Sequence, residues 1–190
     1  MTTDPGSPID RLLNAFLVIA PLAYLLTDVL YALRGWDDAT AGAVHVVAAT
    51  AYALVLLRFV TWSDDDRAAA LLLAVGTVGA AGNVAYGFNT IHVSLGDTDL
   101  VDATGAANLI KPWGLAFPAT FLLAAWALRR VAPPWARALL VVAGIAWPVA
   151  HIANVAWLAV AVNVVLVVAC LELGRSVQVG TTSPRTAVTV

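Results

Sequence analysis

Charge is what this 190-residue chain has least of. Charged residues make up 12% of it, about half the roughly 25% of an average soluble domain. That scarcity excludes both an ordinary soluble globule and a disordered chain. A formal net charge of -2 with no basic cluster excludes a nucleic-acid binder. The single cysteine, Cys170, cannot close a disulfide within the chain or build a thiolate metal site. Lys111 is the one lysine among ten basic residues. Walker, Rossmann, HExxH, GxSxG and CxxC motifs are missing, so no cofactor is implied. The three histidines and an intramembrane aspartate are ligand types for zinc. No two histidines stand at a close spacing such as HxxxH, so no metal site is expected.

What fills the chain instead is apolar. Hydrophobic residues make up 61%, and the mean hydropathy is +0.86. A spanning helix needs about 20 mostly apolar residues. That ruler gives clear blocks at 12–33, 41–62, 68–90, 109–130 and 155–173. The run 137–174 has 38 residues, about 57 Å of helix and nearly two hydrocarbon thicknesses. It therefore holds two spans, 137–154 and 155–173, with a tight turn near residues 151–154. The expected fold is all-α: a polytopic membrane protein with a six-helix transmembrane bundle over 11–174.

Basic residues orient it. Six spans put Arg11, Arg58, Arg67, Arg129, Arg130, Arg137, Arg175 and Arg185 on one side, and Arg34 and Lys111 on the other. Cytoplasmic loops carry the excess, so both termini are expected in the cytoplasm and the chain in the plasma membrane. Residues 1–10 read as a disordered cytoplasmic lead rather than a signal peptide, with Pro5, Gly6 and Pro8 as breakers. Residues 175–190 read as a disordered cytoplasmic tail. Asp64, Asp65 and Asp66 read as a solvated cap before the third span. The loop 91–107, with Asp97, Asp99 and Asp102, reads as a solvated acidic segment that could lie over whatever is beneath it.

Strongly polar residues inside spans are costly and face a bundle interior or a cavity. Tyr24, Thr27, Asp28 and Tyr31 share one helical face, and Asp28 lies about 8 Å inside the outer end. Gly76, Gly79, Asn83, Tyr86 and Thr90 form a seam that is tight below and polar above. Gly144, Trp147, His151 and Asn154 share a third face, and Pro148 frees a carbonyl there. His45 and Tyr52 share a fourth. Asn108 and Lys111 open the fourth span. The histidines, Asp28 and Lys111 all fall toward the outer end. Six of seven tryptophans fit an interfacial belt; Trp147 is the one expected in a pocket. Lys111 and His151 are the expected partners of Asp28. The simpler account is that Asp28 and Asn83 only bond neighbouring helices.

These faces imply an outward polar pocket. Its expected ligand-binding residues are Asp28, Tyr31, His45, Asn83 and Tyr86, together with Lys111, Trp147, His151 and Asn154. The first function is binding or transport of a small or lipophilic ligand. A second is a membrane enzyme, with Asp28 and His151 as general acid and base on a lipid-like, for example isoprenoid, substrate. A third is an accessory subunit with no ligand. The expected partners are the lipid bilayer, the ligand, and a membrane partner protein or further copies of the chain; nucleic acid is not among them. In size and span number the layout is similar to the vitamin-binding subunits of energy-coupling-factor transporters and to small membrane terpene cyclases. The motifs of neither family stand in this sequence.

Overall fold

A computed structural model describes residues 6–182. Among these the chain is all-helical, with six helices long and apolar enough to cross a membrane and no strand. They are α1 (Pro8–Arg34), α2 (Ala39–Trp62), α3 (Asp66–Ser94), α4 (Ile110–Ala127), α5 (Pro134–Ile152) and α6 (Ala156–Thr182). A short 3-10 helix, Gly105–Leu109, leads into α4. Large apolar side chains such as Leu22, Leu26, Val47, Ile145 and Trp157 stay exposed around the outside. Such a coat is foreign to a water-soluble monomer and suits lipid.

Local chemistry sets the helix ends. Ser7 caps α1 by accepting from the Asp10 N–H, and Pro8 follows at the first helical position, where its missing N–H is no loss. Residues 8–10, expected outside the first helix, are therefore its first turn. Asp10 is buried there against Arg58 of α2, with Nη1 to Oδ1 at 2.5 Å. Residues 175–182, expected in the tail, continue α6; 1–5 and 183–190 lie outside the described residues. The 38-residue apolar run breaks at Ala153–Val155, where Asn154 takes φ 53°. Asparagine tolerates that left-handed conformation better than most residues. Asp65 caps α3 through the Arg67 and Ala68 N–H groups. It also receives Arg129 Nη2 at 2.7 Å, beside an exposed Arg130–Asp64 pair. Asp64 and Asp65 thus tie the α2–α3 loop to the α4–α5 loop.

Each helix packs on its chain neighbours, and α6 packs back on α1. The six form a closed up-and-down ring. An even count puts the start of α1 and the end of α6 at one end, here the terminal end. The loops 35–38, 95–109 and 153–155 lie at the far end. Glycines bring α3 against its neighbours. A Cβ on Gly79 would stand 2.5 Å from the Phe117 backbone nitrogen, and one on Gly82 would strike the Trp113 backbone. Both therefore pack on α4. Gly76 meets the Leu56 side chain of α2 instead, so the glycine seam divides between two partners rather than following one.

Candidate functional site

A cavity of about 520 Å³ opens at the far end. Seven of the nine residues expected in a pocket line it: Tyr31, His45, Tyr86, Lys111, Trp147, His151 and Asn154. The other two, Asp28 and Asn83, are fully buried and do not line it. Each supports a residue that does.

Asp28 holds the α5–α6 side. Its Oδ2 accepts from Asn163 Nδ2 of α6 at 2.5 Å, and its Oδ1 lies 3.4 Å from His151 Nε2 of α5. His151 Nδ1 lies 3.0 Å from the Trp147 carbonyl. A carbonyl only accepts, so Nδ1 carries the proton. A hydrogen bond from Nε2 to the Asp28 carboxylate then requires one further proton on the pair. Lys111, the other expected partner, is exposed and forms no ion pair among the described residues.

Asn83 holds the α1–α2–α4 side. Its Nδ2 faces the carbonyls of Gly79 at 3.3 Å and Gly114 at 3.5 Å. Pro118 has no N–H to offer the carbonyl four residues back, so the amide of Asn83 meets the acceptor that proline frees. The two carbonyls fix the amide orientation and aim Oδ1 at Tyr24, whose hydroxyl donates to it at 2.5 Å. That uses the one proton of Tyr24. Its oxygen must then accept from His45 Nε2, 2.7 Å away. A neutral His45 therefore has a bare Nδ1, which accepts from Tyr31 Oη at 3.0 Å, and Thr90 donates to Tyr31 at 3.1 Å. One chain of oriented protons thus runs Thr90–Tyr31–His45–Tyr24–Asn83, from the cavity wall into the core.

Seven rings close a circuit at the cavity floor. Tyr31 stacks on Trp36 with centroids 5.0 Å apart, and Trp36 meets His151 edge-on at 5.7 Å. His151 stacks on Trp147 at 3.9 Å and 15°, and Trp147 contacts Phe117 at 5.7 Å. Phe117 stacks on Tyr24, which meets His45, which returns to Tyr31. Trp36, assigned by position to the interfacial belt, is instead a wall of this cavity, as its place in the loop after α1 lets it fold over the helix end. His92 lies outside the cavity lining and pairs with Asp97 on the rim.

The acidic loop is fastened rather than free. Asn89, buried at the end of α3, donates to Asp99 Oδ1 at 2.8 Å and accepts from the Leu100 N–H at 2.9 Å. Asp99, Val101 and Asp102 thereby border the cavity. Asn89 and Thr90 were not among the expected site residues, although their spacing from Tyr86 puts them one turn above it. Among the described residues, no three carboxylate, imidazole or thiol groups stand close enough to hold a metal ion.

The chemical consequence is a division of labour. The polar atoms of His45, His151 and Tyr31 are engaged with protein, so the floor is largely aromatic. Free polar groups, among them Asp37, Asp102, Lys111 and Asn154, sit around the mouth. No family model, no curated protein and no solved structure matches this chain.

Proposed function

We propose that this integral membrane protein binds a small ligand in the far-end cavity, with both termini in the cytoplasm and the cavity open to the exterior of the plasma membrane. The observation that carries the reading is the cavity itself. Its volume is in the range of about 300–1,000 Å³ usual for small-molecule sites, and its wall is made of side chains that would otherwise be expensive to keep in a span. An accessory subunit whose polar faces only pack has no use for such a space. The orientation rests on eight basic residues against two. Stand-alone transport is disfavoured. Among the described residues the core below the aromatic circuit is mostly Leu, Ala, Val and Phe, with Tyr52 and Thr120 as scattered polar groups.

The enzyme reading has one observation in its favour: Asp28 and His151 are within reach of each other. Both nitrogens of His151 face protein atoms, however, so a substrate must displace one of those bonds before the ring acts as acid or base.

Native mass spectrometry of the protein purified in a mild detergent tests the binding reading. A bound small molecule should accompany the wild type and leave in Trp36→Ala. A wild type that carries no small molecule under conditions that keep its fold would defeat the proposal. Reporter fusions test the orientation, with a cytoplasmic signal expected at the C-terminus and an external one at Gly96. A C-terminus reporting from outside would invert the cavity and end the outward reading.

A further inference from the structure

The rim and the floor together point to a class of ligand. Four charged side chains border the cavity mouth: Asp37, Asp99, Asp102 and Lys111. Asp99 is committed to Asn89 and the Val101 N–H. Asp37 and Asp102 are exposed and without a partner among the described residues. The other base at this end, Arg34, pairs with Asp38 and does not line the cavity. The mouth is therefore net negative even with Lys111 counted. Beneath it, the aromatic side chains of Tyr31, Trp36 and Trp147 line the wall. A positive group is attracted at the mouth, and an anion only beside Lys111.

The kind of cation follows from what is missing. An inorganic ion needs several oxygen or nitrogen donors converging at bonding distance. No three carboxylate, imidazole or thiol groups converge so among the described residues, and the polar atoms of His45, His151 and Tyr31 are engaged with protein. Ring faces and unpaired carboxylates are what a bulky, weakly hydrated ammonium needs. We propose that the cavity binds a small organic cation, an alkylated ammonium, with its alkyl groups on the Tyr31–Trp36–Trp147 surface and its charge toward Asp37 and Asp102. This inference rests on the binding reading above and narrows it.

Three soluble probes of nearly one shape test it: choline, its neutral carbon analogue 3,3-dimethyl-1-butanol, and the anion 3,3-dimethylbutyrate. Each is titrated calorimetrically into the full-length protein in a maltoside detergent. Choline should bind at least about tenfold more tightly than the neutral analogue, the scale of a desolvated cation–π contact, and added salt should weaken it. Asp37→Asn with Asp102→Asn should remove about tenfold of that affinity. Both side chains are exposed and unpaired, so the fold should be untouched, which an unchanged melting temperature checks. Trp36→Leu should weaken choline while leaving its salt dependence intact. Equal binding of choline and the neutral analogue overturns the cation class and leaves a pocket for neutral ligands. Tighter binding of the anion overturns it in favour of Lys111. Binding of none of the three overturns it as well. A small molecule still seen on the wild type by native mass spectrometry would then keep the broader reading alive, and its absence would sink both.

Discussion

Replacing Asp28 separates a role in charge from a role in shape. In Asp28→Asn the amide oxygen can face Asn163 Nδ2, and the amide N–H can donate to the bare Nε2 of a neutral His151. His151 keeps its Nδ1–H on the Trp147 carbonyl. Every bond at the site then has a donor and an acceptor, the pair stays neutral, and one proton has been removed. The stability cost should stay below about 1 kcal/mol, the scale of one altered hydrogen bond. Asp28→Ala is different. Asn163 loses one of its two acceptors, keeping only Ala159 at 3.3 Å, and His151 Nε2 loses its neighbour. Asn163 is fully buried, whereas the His151 side chain is 11% exposed and water in the cavity can reach it. One buried unsatisfied donor plus a small void costs about 2–3 kcal/mol. At about 2–4 °C per kcal/mol for a chain of this size, the asparagine variant should melt within about 4 °C of wild type. The alanine variant should melt about 4–12 °C lower. Thermal unfolding in detergent, followed by near-UV circular dichroism, reads both. Equal losses in the two variants would refute the shared proton, because they would mean that the negative charge itself holds α6 in place.

Five further substitutions probe the frame around the site. Gly82→Ala should lower stability by about 1–3 kcal/mol, because the new methyl strikes the Trp113 backbone; in Gly76→Ala the methyl meets only the movable end of Leu56, and the gain in helix propensity should hold the change within about 1 kcal/mol either way. Arg58→Met should cost about 3–5 kcal/mol by leaving Asp10 buried without its guanidinium, and adding Asp10→Leu should restore most of it, read as melting temperatures of the single and double variants. The Arg129 hydrogen bond, with the cap bonds from α3, holds the Asp65 carboxyl below its ordinary 3.8. Its stabilisation is present above that value and is lost as pH falls through the lower folded value, so Asp65→Asn should flatten the acid limb of a melting-temperature profile, and an unchanged limb would place the acid sensitivity elsewhere.

Helical spacing carried the sequence reading wherever the relevant residues lie on one face. Tyr24, Asp28 and Tyr31 point inward together, and Trp147 and His151 stack because they are four apart. Spacing along one helix says nothing about which helices are neighbours. The partnership of Tyr24, His45 and Asn83 spans three helices, and the amide over the carbonyl freed by Pro118 needs α3 beside α4. Trp36 lies in a turn, where no periodicity marks it. Asp10 was legible in principle: Ser7, Pro8 and Asp10 spell a helix start, with a cap, a proline at the first position and an acid in the first turn. Reading the prolines and Gly6 only as breakers hid it. The engagement of both histidine rings is a matter of distances and had no sequence signal.

The ring has six seams, and chain connections bridge five of them. The seam between α6 and α1 has none. A ring held by five hinges and one clasp opens most easily at the clasp, since parting any other pair must also stretch a loop. Asp28 and Asn163 are a hydrogen-bonded part of that clasp, and His151, in the cavity wall, bears on it through Asp28. Whatever alters the stacking of His151 or its contact with Asp28 therefore changes the force that holds the ring shut, at the one place where α1 and α6 can separate sideways without rearranging the backbone of a loop.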